Sequence, residues 1–150
     1  MTLNLESSNE QKEQPLREIE VGCSVIYRQG KLLVGQRRPG DTLGGYWEFP
    51  GGKRNSDETF EACIEREVFE EMAVRVKARR FIKAVTHDFL SRRIHLHFYI
   101  CDFLSGEPVL HECMDARWVA LEDLKNYQFP PADRDLLNEL VERRLYYFGG

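Results

Sequence analysis

Three glutamates, Glu67, Glu70 and Glu71, stand at i, i+3 and i+4 in a stretch free of Gly and Pro. On a helix of 3.6 residues per turn they share an arc of roughly 100°. Like charges so placed repel, and each pair weakens an isolated helix by about 0.2–0.5 kcal/mol. The chemical use for such a cluster is the binding of hard divalent cations. Mg2+ and Mn2+ prefer carboxylate oxygen, and Mg2+ commonly bridges protein carboxylates to phosphate. A solvated acidic face, neutralised by Arg66 and nearby bases, is the plainer alternative for E-x-x-E-E alone. The surroundings favour chemistry. Gly51-Gly52 precedes the helical stretch, directly after Pro50, and glycine lets backbone approach a ligand closely. Lys53 follows the pair, Glu58 stands at the start of the helix, and Arg66 immediately precedes Glu67.

Elements must position these groups. Residues 59–72 favour helix, with Thr59 or Asp57 as its cap, and Phe60, Ile64, Val68 and Met72 form an apolar stripe at a spacing of four. Upstream, residues 19–27 and 32–35 read as strands joined by Gln29-Gly30-Lys31, a hairpin pattern. Pro39-Gly40-Asp41 and Gly44-Gly45 mark a loop, and residues 46–49 a short aromatic strand. Downstream, strands are expected at 75–86 and 94–103, the second with Ile94, Leu96, Phe98 and Ile100 in alternation. A turn at 105–108, a strand at 116–120, a short helix at 121–125 and a final helix at 132–144 complete the pattern. Strands, helix, strands, helix indicate a mixed α/β domain. Residues 1–18 are polar and aperiodic and read as a flexible tail, leaving 19–150 as one domain.

The string GGKRNSDETFEACIEREVFEEMAV, residues 51–74, fits G-x5-E-x7-R-E-U-x-E-E-x-G-U, with U bulky and apolar. It resembles the Nudix box, the loop–helix–loop signature of the Nudix hydrolases. Gly52, Glu58, Arg66, Glu67, Val68, Glu70, Glu71 and Val74 all fit. The closing glycine is replaced by Ala73, which in a left-handed conformation would cost about 1–2 kcal/mol; the alternative is a helix that ends differently. The resemblance implies an α/β/α sandwich with a central mixed sheet. It implies that Glu67, Glu70, Glu71 and the carbonyl of Gly51 hold Mg2+ (Mn2+ as a substitute). It implies that Glu67 or a neighbouring carboxylate activates water, and that Glu58 and Arg66 pair to fix the loop against the helix. Lys53 would face phosphate, its alternative being a surface lysine.

LLVGQRRPG, YWEFPGGK and ARWVALEDLKNYQFPPAD around the box resemble the MutT branch, which sanitises oxidised purine nucleoside triphosphates. By that resemblance Glu112, from its spacing before Trp118, adds a metal ligand; otherwise it is an exposed loop acid. Asp133 would read the base, where MutT itself has an amide, or else cap the last helix. Arg37 and Arg92 would reach the nucleotide; their alternatives are a solvated strand end and a charged strand edge. Of Trp47 and Phe49, one is expected against a base and the other in the core, with the core the simpler reading for either alone. His95 and His97 share a strand face and lack a third ligand, so they read as packing residues.

The bulk numbers agree with a small ligand. With 150 residues, a net charge of −4 and a pI near 5.6, the chain suits one domain and lacks the basic excess of proteins that grip long nucleic acid. Four cysteines without a C-x-x-C pair speak against a zinc or disulfide framework and for a reducing compartment. No signal peptide or apolar span is visible, so a cytoplasmic protein is expected. The expected activity is a MutT-type nucleoside triphosphate pyrophosphohydrolase, with oxidised purines such as 8-oxo-dGTP as substrate. Alternatives within the family are RNA 5′-triphosphate ends, nucleoside diphosphate sugars or other triphosphates, including unmodified pyrimidines. A non-catalytic nucleotide-binding module, like the MutT-like domain of adenine DNA glycosylases, is a third reading; such modules do not keep the acidic box.

Overall fold

The computed structural model describes residues 15–149. Most of the expected tail therefore lies outside the described residues. A single seven-stranded sheet is built from β1 (Arg17–Arg28), β2 (Lys31–Gln36), β3 (Trp47–Glu48), β4 (Gly51–Lys53), β5 (Arg75–Phe89), β6 (Arg92–Ser105) and β7 (Asp115–Ala120). The main order is β3-β2-β1-β6-β5, with β4 on β1 and β7 on β2. The β1–β6 pairing is parallel, and the other pairings are antiparallel. Helix α1 (Phe60–Met72) packs on one face. A 3-10 helix (Leu121–Asn126), α2 (Pro131–Glu142) and the short α3 (Arg144–Phe148) follow β7. This is the expected sandwich around a mixed sheet.

Alternation sorts the two cores. Cys23, Val25 and Phe98 point to the face covered by Leu136, Leu137 and Leu140 of α2. Ile26, Leu33 and Cys101 point to the other, under Ile64, Val68 and Met72 of α1. Burial of those three α1 side chains outweighs the repulsion among the box glutamates. The Thr59 hydroxyl accepts from the Ala62 N–H at 3.1 Å, so Thr59 is the cap rather than Asp57.

Four boundaries differ from the sequence reading. β1 begins at Arg17, because Arg17 and Glu18 pair with Arg92 and Arg93. β5 and β6 meet in a tight turn at Leu90-Ser91, three residues past one expected end and two before the other. Leu90 takes a φ of 56°, a conformation that leucine does not advertise. β4 was not expected, since Gly-Gly is a poor strand former; it is held by the register Cys23↔Gly51 to Val21↔Lys53. The last helix starts at Pro131, suited to a first helical position, and ends at Glu142. Pro130, not Asp133, is its N-cap residue, so Asp133 does not cap it. Among the described residues no helix is long and apolar enough to cross a membrane.

Candidate active site

Two close approaches seat β4, one against β1 and one against α1. A Cβ on Gly51 would stand 1.9 Å from the Gly22 carbonyl oxygen, and one on Gly52 would stand 2.3 Å from the Glu67 carboxylate. Backbone blocks any side chain at Gly51, whereas one at Gly52 would displace the Glu67 carboxylate. The Gly51 N–H donates to the Glu71 carboxylate at 3.2 Å. The loop after β4 is tied by Arg66, whose guanidinium meets Glu58 at 2.6 and 3.0 Å and the Lys53 carbonyl at 3.1 Å. Glu58 also accepts from the Asn55 N–H at 2.9 Å. Arg66 and these donors hold the Glu58 carboxyl down to about 2. The structural pairing expected of Glu58 and Arg66 is thus formed.

The three box glutamates differ in environment. Glu71 is 4% exposed. Burial, with Glu48 next and Glu112 and Glu67 adding to it, pushes its carboxyl up to about 8 against the opposing Gly51 N–H. Glu67 is also pushed up by burial, while Arg66 at 2.9 Å opposes the shift. Glu70 is half exposed and accepts from the same Arg66 nitrogen at 3.2 Å. Glu112 sits on an exposed loop, and its charge acts on both Glu67 and Glu71.

Among the described residues, no three acidic, histidine or cysteine side chains already converge into a cation cage. Glu67 and Glu70 lean on Arg66, and Glu71 lies deeper, beside Gly51. The donor set nonetheless fits a hard divalent cation. It is all oxygen, and its deepest member is a buried carboxylate with one N–H donor and other acids facing it. A buried charge so surrounded requires a counter-charge or a proton.

Beside this cluster a cavity of about 320 Å³ opens on the α2 face. Its lining includes Arg37, Glu48, Phe49, Gly51, Gly52, Lys53, Arg92 and Asp133, so every residue expected to contact substrate borders it. Phe49 is a buried wall, edge-on to Phe98 at 5.7 Å and tilted against Phe129 at 5.8 Å, rather than a free stacking platform. Trp47 is core, edge-on to Tyr127. Arg37 pairs with Glu48 at 2.7 Å and reaches the Thr42 carbonyl. Asp133 is 9% exposed, and burial, reinforced by Glu48 and opposed by Arg37, pushes its carboxyl up to about 7.

The sequence reading missed Glu48 as a site residue. It links Arg37, Asp133 and Glu71 electrically, and the available signal was a charge between two aromatic residues just before the glycine pair. Also missed were Cys23 and Leu96 as lining, hidden within ordinary strand alternation. A second concavity of about 480 Å³ adjoins the first cavity through Ile19 and Lys53, around Arg17, Glu18, Glu20, Arg54, His95 and His97. Arg54 pairs with Glu20 at 2.7 Å, His95 lies 3.2 Å from the Glu18 carboxylate, and His97 stacks on Phe60. His97 packs as expected, whereas His95 is held by hydrogen bonds to Thr86 and Glu18.

A mixed sheet flanked by helices, with an acidic helix beside a cavity of about 320 Å³, is the architecture of a known hydrolase class. The NUDIX domain profile matches residues 22–139, and the chain belongs to the Nudix family. It is MutT-like and acts on phosphoanhydride bonds. The CTP pyrophosphohydrolase of Escherichia coli K12 is 31% identical over 129 residues, 86% of this chain and 96% of that protein. The 8-oxo-dGTP diphosphatase of Haemophilus influenzae is 30% identical over 124 residues, 82% and 91% of the two chains. The solution structure of the E. coli ORF135 protein superposes with a TM-score of 0.77 at 31% identity, covering 90% of this chain and 96% of that one.

Proposed function

We propose that the chain is a Mg2+-dependent nucleoside triphosphate pyrophosphohydrolase that releases a monophosphate and pyrophosphate, with oxidised purine deoxynucleotides such as 8-oxo-dGTP as its substrates. The observation that carries this reading is the meeting, at Gly51-Gly52, of the box glutamates with a cavity that ends in the buried carboxyl of Asp133. Glu67, Glu70, Glu71, Glu112 and the Gly51 carbonyl would hold the cation. Bound there, it neutralises phosphate oxygens and lowers the pKa of a water. Lys53 at the rim and Arg92 in the lining supply positive charge toward the phosphates. Arg37 orients the nucleotide while balancing Glu48. Asp133, held largely neutral below about pH 7, presents both a donor and an acceptor to a base edge, as an amide would.

The similarity to a CTP pyrophosphohydrolase favours a second reading in which the base is cytosine. A neutral carboxyl also complements the acceptor–donor edge of cytosine. Product analysis with Mg2+ across 8-oxo-dGTP, CTP, dCTP, the other ordinary triphosphates, ADP-ribose and 5′-triphosphate RNA separates these readings. Fastest pyrophosphate release from 8-oxo-dGTP supports the first. Fastest release from cytidine nucleotides replaces it with the second. Preference for RNA or ADP-ribose discards both specificities.

A further inference from the structure

An α-helix leaves its last carbonyls without intrahelical partners. In α1 these belong to Glu70, Glu71 and Met72, two of which carry site glutamates. The loop before β7 satisfies all three. The Val109 N–H donates to the Met72 carbonyl at 2.9 Å, and the His111 N–H to the Glu71 carbonyl at 3.2 Å. The His111 imidazole meets the Glu70 carbonyl through Nδ1 at 3.1 Å, which makes Nδ1 the protonated nitrogen. From the other side Arg38 donates to the His111 carbonyl. The next residue is Glu112, whose charge reaches Glu67 and Glu71 across the site.

We infer that His111 is a positioning residue that locks the Glu112 loop onto the carbonyl end of α1 and so sets Glu112 opposite Glu67 and Glu71. The inference rests on the metal-holding role proposed for Glu112. Nothing in the Nudix box itself supplies this lock, because His111 lies 37 residues beyond Val74. The side chain is exposed, so its replacement leaves the core intact. Its hydrogen bond serves the loop's position and contributes nothing to burial.

The test is Mn2+ affinity, read by the electron paramagnetic resonance of free Mn2+, for the wild type, His111→Ala, His111→Asn, His111→Gln, Glu112→Gln and the double variant His111→Ala/Glu112→Gln. The Asn amide N–H replaces Nδ1–H in place, whereas Gln carries it one carbon too far. His111→Ala and His111→Gln are expected to weaken Mn2+ binding by about three- to ten-fold, the range one hydrogen bond spans. His111→Asn restores it to within about twofold. The loss appears in the Mn2+ concentration giving half-activity and not in the nucleotide KM at saturating Mn2+. Because His111 acts through Glu112, the double variant binds no more weakly than Glu112→Gln alone. Wild-type affinity in His111→Ala beside a weakened Glu112→Gln overturns the positioning role alone. Additive losses in the double variant also overturn it. Wild-type affinity in Glu112→Gln overturns the ligand reading beneath it, and the inference falls with that reading.

Discussion

Glu71 carries the largest electrostatic cost in the site. It is buried, it faces three other acids, and one backbone N–H supports it. Replacing it with Gln keeps the shape and removes the charge. The metal-free variant is therefore expected to melt higher than the wild type at pH 8 and to lose any further rise on adding Mg2+. A calorimetric scan of both proteins with and without Mg2+ checks this. A Mg2+-dependent rise of equal size in the variant would remove Glu71 from the ligand set. Glu70 is exposed and contributes little to packing, so Glu70→Gln should cut turnover by about a hundredfold with an unchanged melting temperature. Near-normal kcat would show that Glu70 holds nothing essential. Asp133 yields a pH prediction. Its folded carboxyl sits near 7 and its unfolded one near 4, so the folded state binds the extra proton between those values. Stability contributed by this group falls as pH rises from about 4 to about 7, by on the order of 2–4 kcal/mol at most. Asp133→Asn should flatten that slope in denaturant titrations at stepped pH, and should alter the relative rates on different bases. An unchanged slope would mean that the unfolded chain titrates alike.

At the scale of elements, the end of α1 is where the chain departs most from its family's pattern. Ala73 adopts φ 57° and ψ 29°, the left-handed conformation that the missing glycine would take without strain. Its N–H still closes the helix on the Phe69 carbonyl, and Gly106 packs directly against its own carbonyl. Ala73→Gly should stabilise the protein by about 0.5–1 kcal/mol, the relief of left-handed strain less glycine's extra unfolded freedom. A lower denaturation midpoint would contradict this account. Where the helix ends was legible in the sequence through the box, whereas its left-handed form was one of two endings open to Ala73. The helix itself was legible for the same reason, through its stripe and its cap. β4 and the tight β5–β6 turn were not. Gly51-Gly52 becomes a strand only because Val21–Cys23 lies alongside, and Leu90 turns only because two long strands need closing. Both are imposed by tertiary pairing, which local propensity does not encode.

Across the whole molecule, the site is assembled from segments far apart in sequence. Glu48 comes from the first third, the glycine pair and the glutamates from the middle, and Glu112 and Asp133 from the last third. The middle group was readable because one contiguous motif carries it. Asp133 was readable only through similarity of flanking segments, and its burial was not readable at all. That burial depends on α2 covering a face formed by β1 and β6. Glu48 and His111 carried no motif, and their importance arises from what folding brings beside them.

The parallel pairing of β1 with β6 has a consequence for how the molecule is made. Register from Arg17↔Arg92 to Tyr27↔Asp102 keeps each partner 75 residues from the other. On the ribosome the glycine pair and the acidic helix emerge well before β6 does, so the box is complete while one side of β1 still stands open. Closing a loop of that length sets the pace of folding more than helix formation does. During that interval β1 offers an unpaired apolar edge to any neighbouring nascent chain.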